Sequence, residues 1–221
     1  MTIPFRAALF DLDGVLVDSA RLHFVAWKRI ADELGIGFTE HDNEALKGVD
    51  RMGSLDLILA LGGRMLGDTD RAAAADRKNG YYVEALATMG RDDILPGAEA
   101  LVAQARAAGL KLAVASASRN AIAVLERVGL LGAFDHVADA GKVARSKPAP
   151  DIFLACADAL NIAPARCVGF EDAAAGVTAI NAAGMTSVGI GDPVILGEAK
   201  FVFSSTAAVD LDRVLSSNLS V

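Results

Sequence analysis

The chain has 221 residues, 53% hydrophobic and 22% charged, with 28 acidic against 21 basic side chains and a formal net charge of −7. That length holds one large α/β domain or a domain carrying an insertion, and the apolar content excludes extended disorder. The acidic balance and the lack of a long Lys/Arg run argue against nucleic acid as a partner, while a few focused cations or a metal could still hold a phosphorylated small molecule.

The first residues, MTIPFRAALFDLDG, contain no apolar run of signal-peptide length, and no stretch approaches the roughly 20 residues of a membrane span. A cytoplasmic protein with no membrane partner is therefore expected. An apolar run over 6–10 predicts a buried strand. From Val15 to Asp92 the patterns are helical, over 21–34, 54–61 and the alanine-rich 71–87, with no convincing strand. After Leu95-Pro96-Gly97 the pattern alternates: helices over 97–108, 120–128, 151–160 and 173–183, and strands over 111–115, 166–170 and 186–190. Gly109, Gly129 and Gly184 stand where helices should stop. This alternation predicts an α/β fold, a doubly wound parallel sheet whose site lies at the carboxyl ends of the strands. The helical stretch predicts an inserted cap, dividing the chain into a core of residues 1–14 and 93–221 and a cap of 15–92. Cys156 and Cys167 fall in different elements with no Cys/His cluster, so ordinary buried thiols are expected.

Phe10-Asp11-Leu12-Asp13-Gly14-Val15 places two carboxylates directly after an apolar strand. Residues two apart in extended chain share a side, so Asp11 and Asp13 can converge, and their repulsion calls for a cation or a shared proton. Ser116 and Ser118 follow the 111–115 strand and offer hydroxyls, although a helix cap explains them equally. Lys147 precedes Pro148 and Pro150, which stiffen the chain around it, whereas most lone lysines are solvated. Glu171 and Asp172 follow the 166–170 strand as hard oxygen ligands or as acidic helix caps.

In this order the Asp-x-Asp, Ser, Lys and Glu-Asp elements resemble the four motifs of the haloacid dehalogenase superfamily over residues 3–190 or so. The resemblance implies a Rossmann-like core and a magnesium-dependent phosphoryl-transfer enzyme. It makes Asp11 the nucleophile, forming an aspartyl phosphate, and Asp13 the general acid/base. It assigns Asp11, the Asp13 carbonyl, Glu171 and Asp172 to Mg2+, and Ser116 and Lys147 to the transferring phosphoryl group.

The helical insertion carries His23 and Trp27 one turn apart, Leu46-Lys47-Gly48-Val49-Asp50-Arg51, and Arg77-Lys78-Asn79. These resemble the cap signature of β-phosphoglucomutases, and Ser116-Ala117-Ser118-Arg119-Asn120 is similar to that family's non-transferring phosphate region, although His23 and Trp27 also suit plain core packing. The likeness implies interconversion of β-D-glucose 1-phosphate and glucose 6-phosphate, primed by β-glucose 1,6-bisphosphate, on a monomer whose partner is a phosphorylated hexose. His23 and Lys78 would couple cap closure to the acid/base, and Arg51 would hold the distal phosphate. Trp27, Lys47, Gly48, Val49, Ser54, Ala117, Ser118 and Asn120 would complete the sugar-phosphate site. Asp50 departs from the small hydroxyl residue common there. The other readings are a sugar-phosphate phosphatase with the same Asp11 chemistry and, more distantly, a non-catalytic metal-binding phosphoacceptor domain.

Overall fold

The computed structural model describes residues 4–217. Six strands, β1 (Ala7–Phe10), β2 (Lys111–Val114), β3 (His136–Val137), β4 (Cys167–Glu171), β5 (Thr186–Ile190) and β6 (Phe201–Phe203), form one parallel sheet. Their order is β3-β2-β1-β4-β5-β6. Every residue of β1, β4 and β5 is buried, as expected of strands covered by helices on both faces. Alternate side chains divide between two apolar clusters: Ala8, Phe10, Leu112, Val168 and Phe170 on one face, Ala7, Leu9, Ala113 and Cys167 on the other. Phe10 and Phe170 are register partners whose rings stack 4.8 Å apart.

The expected central strands and the helices after residue 93 stand within one residue of expectation, while the helices expected over 54–61 and 71–87 begin three residues earlier, at Arg51 and Asp68. The edge strands β3 and β6 have no expected counterpart, because two and three residues are too few for a periodic signal and only pairing to β2 and β5 defines them. Glu171 differs usefully from expectation: it belongs to β4, paired with Gly189, and does not follow the strand. It therefore shares a face with Cys167 and Gly169.

Between β1 and α5 (Ala98–Ala107) lie α1 (Ala20–Glu33), α2 (Glu40–Glu44), α3 (Arg51–Leu61) and α4 (Asp68–Leu86). They enclose a third apolar cluster including Trp27, Ile30, Leu55, Ile58, Ala74 and Ala75. The short α2, absent from the expectation, is held by reciprocal bonds between Thr39 and Asp42. α3 begins three residues earlier than its apolar pattern because the Asp50 carboxylate accepts from the Met52 and Gly53 amides. Asp50 thus serves as the N-cap, a task a hydroxyl residue could also perform, and sets Arg51 at the first helical position.

The two crossings between this helical unit and the sheet run side by side: Asp18 N–H donates to Asp93 O and Leu95 N–H to Leu16 O. The remaining helices include α6 (Ala121–Val128), α7 (Asp151–Leu160), α8 (Ala174–Ala182) and α9 (Leu211–Leu215). From β1 the chain builds outward through β2 and β3, then returns beside β1 with β4. The carboxyl ends of β1 and β4 therefore flank the crevice where the winding reverses. Among the described residues no helix is long and apolar enough to cross a membrane.

Candidate functional site at the β1 and β4 strand ends

Asp11 follows β1 and Glu171 ends β4, and the Lys147 ammonium lies between them, 2.6 Å from Asp11 Oδ1 and 2.5 Å from Glu171 Oε1. All three side chains are buried. Burial alone would strip the lysine of its proton, but the two carboxylates reverse that and hold its pKa above the ordinary value. The other Glu171 oxygen accepts from Ala173 N–H at 2.8 Å, tying the start of α8 to the same node.

Carboxylates outnumber this one ammonium. Oxygens of Asp11, Glu171 and Asp172 lie within 4.8 Å of one another. Burial, more than the neighbouring acids, pushes Asp11 up to about 8 against the pull of Lys147. Burial likewise raises Asp172 well above the carboxylate range, with Glu171 and Asp11 adding to it. An all-oxygen donor set with more carboxylates than matching positive charge fits a hard divalent cation such as magnesium. The backbone makes room for these acids. A Cβ on Gly176 of α8 would sit 1.8 Å from Glu171 Oε1, and one on Gly14 would sit 2.2 Å from Asp172 Oδ2.

Asp13 turns from this cluster toward the helical unit, where it accepts a hydrogen bond from Ser19. Ser19 occupies the N-cap position of α1, yet its hydroxyl serves Asp13 and does not cap the helix. Burial raises the Asp13 pKa, opposed by Ser19, Lys147 and Lys78, which favours a carboxyl able to donate a proton. His23 Nε2 lies 3.8 Å from Asp13 Oδ1, and its Nδ1 is 2.9 Å from Lys78 Nζ. Burial, then Lys78 and Arg51, hold the His23 pKa well below its usual value, so the ring is neutral and Nδ1 accepts from the lysine. Lys78 is buried against the Trp27 and Tyr82 rings, each 4.8 Å from Nζ. Burial and Arg51 lower its pKa to about 7, against the attraction of Asp13.

A cavity of about 510 Å³ separates the sheet from the helical unit and is lined by Asp11, Asp13, Asp172, His23, Trp27 and Lys78 among others. Lys47, Gly48, Val49, Arg51, Ser54, Ala117, Ser118 and Asn120 also line it, so residues far apart in sequence meet there. Ser116, Lys147 and Glu171 are buried and do not line it, but Ser116 and Lys147 bond to the lining residues Ser118 and Asp11. Lys47 is engaged with Glu44 at 2.7 Å. Ser118 does not cap α6; the N-cap is Asn120, whose amide donates to Ser118 Oγ, while Ser116 Oγ accepts from Ser118 N–H. Nothing in the sequence singles out Ser19, whose position reads as an ordinary helix start, or distinguishes Asn79 and Arg119 from their neighbours in the Arg77–Asn79 and Ser116–Asn120 motifs.

Two consequences are measurable. Gly176→Ala should displace Glu171 and lower the apparent magnesium affinity about 10–100-fold, as loss of support around a metal ligand does, read from metal-dependent turnover. Lys78→Met tests the buried ammonium. With the folded pKa near 7 and the unfolded value near 10.5, the unfolded chain binds the extra proton between those limits. The cost is thus full below about pH 7 and relieved as pH rises. Urea unfolding should find Lys78→Met more stable than the wild type at pH 7, with the gap shrinking steadily toward pH 9.5.

Comparison with known proteins agrees with this geometry. The family described as haloacid dehalogenase-like hydrolase matches residues 5–184. A β-phosphoglucomutase of Bacillus subtilis (strain 168) is 39% identical over 209 residues, covering 94% of this chain and 92% of its own. A crystal structure of β-phosphoglucomutase from Clostridium difficile superposes with a TM-score of 0.92 at 42% identity, covering 95% of both chains. A fructose-1-phosphate phosphatase of Escherichia coli (strain K12) is 33% identical over 188 residues, 84% of this chain and 96% of that one. With the family's match spanning most of its length, the chain belongs to the haloacid dehalogenase-like hydrolases.

Proposed function

We propose that this chain is a magnesium-dependent β-phosphoglucomutase that interconverts β-D-glucose 1-phosphate and glucose 6-phosphate through β-glucose 1,6-bisphosphate. The observation that carries the reading is a single cavity bearing two cationic groupings. Lys147 is bonded to Asp11, which lines the cavity, and Arg51 lies with Arg119 and Asn120 elsewhere on its wall. A bisphosphate needs both, one for the phosphoryl group in transfer and one for the other phosphate. The two relatives named as β-phosphoglucomutases are also more similar to this chain than the phosphatase is.

In this proposal an Asp11 oxygen attacks phosphorus of the bisphosphate, and Asp13 gives its proton to the departing sugar oxygen. The sugar monophosphate leaves. A sugar 1-phosphate or 6-phosphate then presents its free hydroxyl, Asp13 takes that proton, and the hydroxyl oxygen attacks the phosphorus held on Asp11. Lys147 faces the charge that develops on the phosphoryl oxygens, with Ser116 beside it. A magnesium ion held by Asp11, Glu171, Asp172 and the Asp13 carbonyl would supply further neutralisation and keep these acids ionised. Because Asp11 starts unphosphorylated, the cycle needs the bisphosphate as primer.

The division into a core of residues 1–14 and 93–221 and a cap of 15–92 belongs to the same proposal. His23 and Lys78 couple the position of the cap to Asp13, while Lys47, Gly48, Val49, Ser54 and Trp27 shape the sugar pocket. Closure of the cap around sugar phosphate keeps water from the aspartyl phosphate. The paired crossings at Leu16–Asp18 and Asp93–Leu95 are suited to serve as the hinge. A sugar-phosphate phosphatase would use the same Asp11 with readier access for water, and the 33% identity to a fructose-1-phosphate phosphatase keeps that reading in play.

A coupled assay decides between them. With magnesium and catalytic β-glucose 1,6-bisphosphate, β-D-glucose 1-phosphate should yield glucose 6-phosphate with almost no free phosphate, and Asp11→Asn should abolish the conversion. Stoichiometric phosphate release would instead establish a phosphatase. In the same assay Arg51→Ala should cut isomerisation about 100-fold, the upper worth of hydrogen bonds to a charged group, and should reduce hydrolysis of a small aryl phosphate much less. Equal losses would remove Arg51 from the distal phosphate.

A further inference from the structure

One polar contact across the cleft remains without a role. Asn79, on α4, directly follows Lys78, and its side chain contacts two residues that line the cavity, Arg51 and Asn120. The Asn79 side-chain oxygen accepts from Arg51 Nη2 at 2.7 Å and from Asn120 Nδ2 at 3.0 Å. Its orientation follows from chemistry. A guanidinium only donates, so the atom facing it is the amide oxygen, and Asn120 must then present its NH2 group. Arg51 and Asn79 stand on the helical unit, whereas Asn120 caps α6 beside the sheet. One neutral oxygen therefore joins a cation of the helical side to a donor of the sheet side.

We infer that Asn79 is the positioning residue of the distal phosphate subsite: it aligns Arg51 with Asn120 so that both meet one phosphate when the helical unit rests on the sheet. This rests on the mutase reading above. Arg51 has five N–H donors, and the Asn79 contact occupies one group while the others remain for a ligand. Among the described residues Arg51 makes no ion pair. Arg119 repels it and Asp76 attracts it, so an unsupported guanidinium would turn away from Arg119. A carboxylate at position 79 would hold the guanidinium too, but would cancel the positive charge that a phosphate dianion needs. An amide orders the cation and leaves its charge uncancelled. That combination is the physical case for asparagine here.

The test is steady-state kinetics on the magnesium-loaded full chain with β-D-glucose 1-phosphate and β-glucose 1,6-bisphosphate, tracking glucose 6-phosphate and free phosphate together. Asn79→Ala should raise the KM for the bisphosphate about tenfold, the worth of one hydrogen bond to a charged group, with a smaller change in kcat. It should also raise the fraction of turnovers that release inorganic phosphate, because the cap closes less completely around sugar phosphate. Asn79→Asp, which keeps the acceptor and cancels the charge, should raise that KM at least as far. A purely structural residue would lower the unfolding midpoint and kcat for every substrate alike. A KM within twofold of wild type in either variant, or a lower KM in Asn79→Ala, overturns the inference. If the wild type only hydrolyses the bisphosphate, the mutase reading falls, and the KM for that hydrolysis in the same variants still decides the role of Asn79.

Discussion

The Lys147 ammonium, buried between Asp11 and Glu171, is the contact on which the rest of the site depends. A lysine without water is costly unless its charge is matched, and buried carboxylates are costly for the same reason. Each side makes the other tolerable. The bond also closes a three-way junction between the loop after β1, the end of β4 and the segment leading into α7, so it joins chain segments that no local structure would bring together.

The match is incomplete, and the imbalance carries chemical information. One ammonium faces Asp11, Glu171 and Asp172, and Asp11 and Asp172 respond by holding their protons above the usual range. This asymmetry is a physical argument for a divalent cation that needs no relative to support it. Around the acids the fold has kept space by omission: Gly14 and Gly176 lie where any side chain would strike Asp172 or Glu171.

The helical unit adds a second, differently tuned electrostatic region. Lys78 titrates near neutrality, and His23 is kept neutral beside Asp13. Arg51 stays charged next to Arg119 with only an amide to hold it. Asp11, Glu171 and Asp172 outnumber the one ammonium set among them, while on the helical side Arg51 makes no ion pair among the described residues.

Much of this was legible in sequence. The central strands are continuous apolar runs, and Asp11, Ser116 and Asp172 come just after them, where an extended backbone has few ways to point. The break in alternation between Val15 and Asp92 likewise announced the helical insertion, because a 3.6-residue period persists through fourteen and nineteen residues of α1 and α4. Short elements were silent: β3 and β6 exist only through pairing, and α2 only through the Thr39–Asp42 cap. Tertiary structure alone decided that Ser19 would serve Asp13 and that Glu171 would lie within β4. It also decided that Asn79 would bridge Arg51 and Asn120. Each of these depends on which distant side chain arrives opposite, and a one-dimensional pattern records the donors and acceptors a residue carries but not the partner that satisfies them.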